Sequence, residues 1–186
     1  RRWQQSHPQA REPLMALARV QLLQDQVGEA ADSLNRLLAV HPQAEGLWAD
    51  AAEKLAETAG AERAIRALRR LVKEAPDQAA PHLAYGHLLL GLGAGEDAVG
   101  HLRQALDRAP AWGAVAMELA NAVAGQEGLR VLADFVTANP DETQVRQHYG
   151  EALLSAGEIA RAAEVFATLA EERASDPDIF LGLGLA

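Results

Sequence analysis

The chain has no cysteine, which excludes disulfide staples and thiolate chemistry while saying little about compartment. No stretch approaches the ~18 consecutive apolar residues of a membrane-crossing helix, and nothing at Arg1 resembles a secretory leader. Positive charge is scarce where the chain is most acidic: residues 1–112 carry 13 Lys+Arg against 14 Asp+Glu, residues 113–186 only 4 against 12. An acidic half lacks the basic footprint of a nucleic-acid binder, so no nucleic-acid partner is expected. His-Glu-x-x-His is absent and no two histidines stand four apart. Neither a metal nor a cofactor is expected.

What the chain does have is a beat. Pro8, Pro42, Pro76 and Pro110 are each 34 residues apart, and Pro140 and Pro177 follow 30 and 37 residues further on. A period near 34 marks one small supersecondary unit repeated and stacked. Such an array offers a long shared surface and no single closed core. With Pro42, Pro76 and Pro110 set at position 32 of each unit, position 8 is Ala18, Ala52, Gly86, Ala120, Gly150 and Gly184. Position 20 is Ala30, Ala64, Ala98 and Ala162, with Gly128 in a shortened fourth unit. Only methyl-sized or smaller residues fill these columns, as expected where two helices of a hairpin cross; a larger side chain there should cost roughly 1–3 kcal/mol. Position 24 supplies the facing knobs Leu34, Leu68, Leu102, Leu132 and Phe166.

Apolar residues recur at three and four spacing, as in Ala64, Leu68, Leu71 and Val72, which is helical periodicity. Glycines at Gly60, Gly93–Gly95, Gly125 and Gly157 mark helix ends. The spacing predicts helix pairs at 11–24 with 27–40, 45–58 with 61–75, 79–92 with 95–109, 113–124 with 126–138, and 142–156 with 158–173. Helices of about 12–14 residues are marginal alone, so stacking must supply their stability. The fourth unit loses four residues around Gly125–Gly128, roughly one helical turn.

These residues resemble the tetratricopeptide repeat (TPR) family: Trp48-x-x-Ala51-Ala52, Tyr85-Gly86, Tyr149-Gly150, Phe180-x-x-Leu183-Gly184, the Ala at position 20 and the Pro at 32. Position 4 departs from the pattern at Leu14, His82, Ala116 and Arg146, and position 11 at Gln21. The resemblance implies an all-α solenoid of antiparallel helix hairpins wound in a right-handed superhelix, with a concave groove lined by each first helix. One array is expected over 1–186, with units near 11–44, 45–78, 79–112, 113–142 and 143–176 and partial units 1–10 and 177–186. Trp3 falls in a packing slot, and neither terminus reads as a polar capping helix. A longer parent protein, or partners covering the ends, is the expectation.

The resemblance places positions 5 and 9 of each first helix toward the groove. Met15, Leu83, Met117 and Gln147 stand at position 5; Arg19, Glu53, His87, Asn121 and Glu151 stand at position 9. The chain's only two methionines share position 5, and methionine suits adaptable apolar recognition. Met15, Leu83 and Met117 are the expected apolar contacts, with Arg19, His87, Asn121 and Glu151 setting specificity. The family's carboxylate-gripping mode is not expected, because only Arg19 and Asn121 fit it and they lie three units apart. A second candidate is the basic stripe Arg63, Arg66, Arg69, Arg70 and Lys73 on one second helix. It either docks an acidic surface, another copy's acidic half included, or is a solvated face.

His82 occupies an aromatic packing slot and reads as a satisfied core histidine, while His87 and His148 point toward the groove and His101 belongs to a second helix. His7 and His41 share one repeat phase ahead of their prolines. Gly91-Leu92-Gly93-Ala94-Gly95 follows a helix, so it is a turn and not a phosphate loop. No nucleophile, base and orienting group stand in register, and the chain is not expected to be an enzyme. The expected function is a protein–protein interaction scaffold binding a peptide or helix in its groove. The alternatives are self-assembly through the charge asymmetry and the apolar run Ile179–Ala186, or a recognition arm of a larger enzyme or adaptor. The Ala- and Leu-rich texture also resembles bacterial envelope assembly factors, which would place the chain in the cytoplasm or at the envelope.

Overall fold

In a computed structural model the described residues are 11–24, 26–40 and 46–172. The expectations for Trp3, His7, His41, Pro8, Pro42, Phe180 and Ile179–Ala186 lie outside them. Among the described residues there are ten α-helices and no strand: α1 (Arg11–Leu23), α2 (Val27–Val40), α3 (Leu47–Ala59), α4 (Ala61–Glu74), α5 (Ala79–Gly91), α6 (Gly95–Arg108), α7 (Gly113–Val123), α8 (Gly125–Ala138), α9 (Thr143–Ser155) and α10 (Ile159–Glu172). None is long and apolar enough to cross a membrane. The fold is all-α and built from helix hairpins.

The chain divides into two compact units, residues 1–109 and 110–186. In the first, α1 packs on α2, α3 on α4 and α5 on α6, while the first helices stack as α1 on α3 on α5. In the second, α7 packs on α8, α9 on α10, and α7 on α9. Each hairpin thus buries one face against its partner and another against its neighbour, which is how helices of 11–14 residues become stable in water.

The crossings are where the small-residue columns place them. Ala18, Ala30, Ala64, Ala98 and Ala162 are buried, as are the knobs Leu34, Leu68, Leu102, Leu132 and Phe166. Each knob contributes about 1.5–3 kcal/mol of burial. At Gly86 a Cβ would sit 2.8 Å from Leu102 Cγ, and at Gly150 2.7 Å from the Phe166 ring. At Gly128 it would sit 2.5 Å from the backbone oxygen of Ala120. A hydrogen is all that fits there.

Two kinds of link join the paired helices from α3 onward. After α5 and α9, Gly93 and Gly157 take φ +78°, and the following amides reach back to Leu89 O and Leu153 O, each at 2.9 Å. This is the Schellman arrangement. After α3 and α7 a single residue does both jobs, ending one helix and starting the next. Gly60 does so with φ 86°, ψ 149°, and Ala124 with φ 53°, ψ 179°. That region is nearly glycine-only, so Ala124 holds strain of roughly 1–3 kcal/mol.

Departures from the repeat pattern are satisfied inside the fold. Gln21 accepts a 2.8 Å hydrogen bond from the Ser33 hydroxyl in the buried α1–α2 crossing. His82 is buried; its Nε2 donates to Pro76 O at 3.1 Å, so its Nδ1 receives the His101 Nδ1 proton at 3.1 Å. Arg146 at position 4 pairs with Glu172, Nη1 to Oε1 at 3.0 Å. The indole nitrogen of buried Trp48 is left without a hydrogen-bond partner.

Candidate functional site

Position 9 follows directly on the buried crossing residue. A turn of about 100° from that residue carries the next side chain away from the partner helix. Arg19, Glu53, Asn121 and Glu151 are accordingly exposed while Ala18, Ala52, Ala120 and Gly150 beside them are buried. His87 is half-buried. Position 5 behaves differently. Leu83 is 0% exposed, so the expectation that it offers an apolar contact is corrected. Its helix α5 is packed by α3, α4 and α6, and that enclosure removes the position from any partner. Met15 is half-buried and leans on the Leu14, Leu37 and Leu47 cluster, filling space between hairpins. Met117 and Gln147 are half-buried, and Gln147 Nε2 donates to Glu151 Oε1 at 3.2 Å.

In the second unit the structure brings two sequence-expected residues together. Asn121 on α7 and Glu151 on α9 line one pocket of about 460 Å³. Ala120, Ala124, Gly125, Gly128, Leu129 and Leu132 come from the α7–α8 hairpin, and His148, Ala152, Ser155 and Ala156 from α9. Leu129 and Leu132 give it an apolar floor. His148 Nε2 donates to Asn121 Oδ1 at 3.3 Å, which ties α9 to α7 across the rim. Glu151 is the one carboxylate among the lining residues and no Lys or Arg lines the pocket.

The pocket has a simple origin. Helix α7 spans 11 residues where α3 and α5 span 13, because the four residues missing from the fourth unit come out of its turn. The space the absent turn would fill lies beside α9. Sequence reasoning located the deletion but did not read it as a concavity. The signal was the short link next to two polar position-9 residues.

The basic stripe is exposed on α4, and four of its members bond within their own unit. Arg63 donates to Leu23 O at the end of α1, satisfying an otherwise orphan helix carbonyl. Arg66 stands 3.7 Å from Glu62, Arg70 2.7 Å from Glu74, and Arg69 Nη2 donates to the Tyr85 hydroxyl at 3.3 Å. Lys73 is exposed at the same face. Exposed pairs of this kind contribute ~0–1 kcal/mol each.

Burial pushes the pKa of both His82 and His101 below the ordinary histidine value, with the neighbouring Arg108 charge and His101 adding to it at His82 and Asp97 partly opposing it at His101. Among the described residues no three His, Cys, Asp or Glu side chains cluster as a metal site would require.

Residues 125–186 match a family model described as tetratricopeptide repeat. No curated protein sequence matches the chain. A thermophilic TPR protein of Thermus thermophilus superposes with a TM-score of 0.59 at 17% identity, covering 94% of this chain and 97% of that one. MamA of Desulfovibrio magneticus gives 0.54 at 22% identity, covering 89% and 96%. YrrB, a TPR protein with an unusual peptide-binding site, gives 0.52 at 19% identity, covering 81% and 80%. These likenesses carry the fold and nothing finer.

Proposed function

We propose that this tetratricopeptide-repeat chain is a non-catalytic protein–protein interaction scaffold that holds a peptide or helix of a partner against its first helices. The observation that carries this reading is the pocket between Asn121 and Glu151, two side chains that repeat phase alone sends outward. In the first unit the corresponding contacts are Arg19 and Glu53, with the exposed edge of Met15 beside them. Met117, Gln147 and His87 contribute the part of their surface that neighbouring helices leave uncovered. YrrB, which shares the fold, is described as having an unusual peptide-binding site.

Site-resolved photo-crosslinking tests the proposal. A photoreactive phenylalanine analogue is placed at Arg19, Glu53 or Asn121 on first helices, and at Asp134 or Glu164 on second helices, all exposed positions. In an extract of the source organism, adducts to one discrete partner should form from the first-helix positions only. Equal labelling from the second-helix positions, or no discrete adduct anywhere, contradicts the scaffold reading.

A further inference from the structure

The pocket on the fourth hairpin is built for a positive charge, and we infer that it takes an arginine side chain from a basic segment of the partner. This rests on the scaffold reading and sharpens it. Helices α7 and α9 both end at the pocket wall, through Asn121 and Ala124 on one and Ala152, Ser155 and Ala156 on the other. A helix C-terminus carries the partial negative end of the helix dipole. The N-terminus of α8 at Gly125 and Gly128 opposes them, one positive end against two negative ones. The Glu151 carboxylate decides the sign, with no Lys or Arg in the lining to neutralise it.

The surroundings agree. Residues 113–172 hold ten Asp and Glu against three Arg. Of those three, Arg146 pairs with Glu172, and Arg161 bonds to Glu158 and the Tyr149 hydroxyl. A basic segment is therefore drawn to this unit over a distance of about a Debye length and meets this opening there. Arginine suits that opening in shape as well as charge. Its three-carbon stem lies along the apolar lining at Ala124, Leu129 and Ala152, and its planar fork meets a carboxylate with two parallel hydrogen bonds. A volume of about 460 Å³ also accommodates the flanking backbone.

The probe is a capped pentapeptide, Ala-Ala-Arg-Ala-Ala, titrated into the isotope-labelled 186-residue chain and followed by amide chemical shifts. Shifts should concentrate at Asn121, Gly125, Gly128, His148 and Glu151. The citrulline peptide, equal in shape and uncharged, should bind roughly tenfold more weakly. Glu151→Gln should produce the same loss, and Ala152→Met should block the pocket without altering charge; unchanged thermal midpoints show both variants folded. Undiminished binding of the citrulline peptide, or of the arginine peptide to Glu151→Gln, overturns the inference. So do shifts spread evenly over Asp134, Glu164 and the other acids. Concentration-dependent shifts at these amides before any peptide is added would make a second copy the occupant and overturn it too. Absence of peptide binding removes the arginine pocket while leaving the scaffold reading to the cross-linking result, because Arg19 and Glu53 lie in the other unit.

Discussion

The second and fourth hairpins solve one problem with different lengths of chain. Both join their helices through one linking residue; at the second link only Gly60 takes a positive φ, whereas at the fourth Ala124 and the adjoining Gly125 both do. In the second hairpin α3 runs 13 residues, Ala52 and Ala64 are both buried, and Trp48 fills the space at position 4. In the fourth, α7 runs 11 residues, Ala120 crosses Gly128, and position 4 is Ala116. Taking out a turn shortens the path between crossing residues from twelve positions to eight. The second helix then comes in so tightly that only glycine fits at the crossing. Tight packing at the Ala120–Gly128 crossing and the pocket beside it have the same cause.

The largest difference should appear at position 4. Trp48→Ala should destabilise the fold by about 3–5 kcal/mol, since a buried aromatic is lost and its cavity remains. Ala116→Leu, the reverse change, should also destabilise, by roughly 1–3 kcal/mol through overpacking. Urea unfolding reads both, and a Trp48→Ala loss within noise would place that side chain at the surface. Next come the crossings. Gly128→Ala drives a methyl into a backbone oxygen and should lose roughly 1–3 kcal/mol, whereas Ala64→Gly should lose only about 1 kcal/mol from helix propensity. A neutral Gly128→Ala would mean the fourth hairpin is no tighter than the second.

The links should respond in opposite directions. Ala124→Gly releases backbone strain and should raise stability by about 1 kcal/mol, while Gly60→Ala introduces that strain and should lower it by roughly 1–3 kcal/mol. The smallest effect separates the two units by pH. His82 and His101 have folded pKa values held below the unfolded value near ~6.5. The unfolded chain therefore binds more protons as pH falls, and the stabilisation, complete above ~6.5, is lost as pH drops toward the folded values. After correction for the slower intrinsic exchange of amides in acid, protection in α5 and α6 should fall on acidification before protection in α7 to α10 does. Leu83→Ala serves no such comparison for binding, because its side chain is enclosed.

Helix ends, links and crossings were legible because each depends on residues close in sequence. Small residues at positions 8 and 20 meet within one hairpin, and the glycines that end α3, α5 and α9 act on their own turns. The outward positions were legible only in part. Repeat phase sends Asn121 and Glu151 away from their partner helices, and the structure leaves them exposed. The same phase sends Leu83 and Met15 that way, yet neighbouring hairpins cover the first wholly and the second in part. Coverage depends on side chains from other hairpins, which a single repeat's pattern does not contain. The His82–His101 hydrogen bond and the bonds that occupy Arg63 and Arg69 were invisible for that reason. So was the pocket, which is a volume left by residues the chain lacks.

That the fourth hairpin binds through the space of its missing turn is tested most directly by putting the turn back. Four alanines inserted between Val123 and Ala124 lengthen α7 by about one turn, and the same arginine-peptide titration is then repeated. The expected result is a folded chain, with slightly higher helicity, whose amides at Asn121, His148 and Glu151 no longer respond to the peptide. A folded insertion variant that binds the peptide at those residues as tightly as before would contradict it.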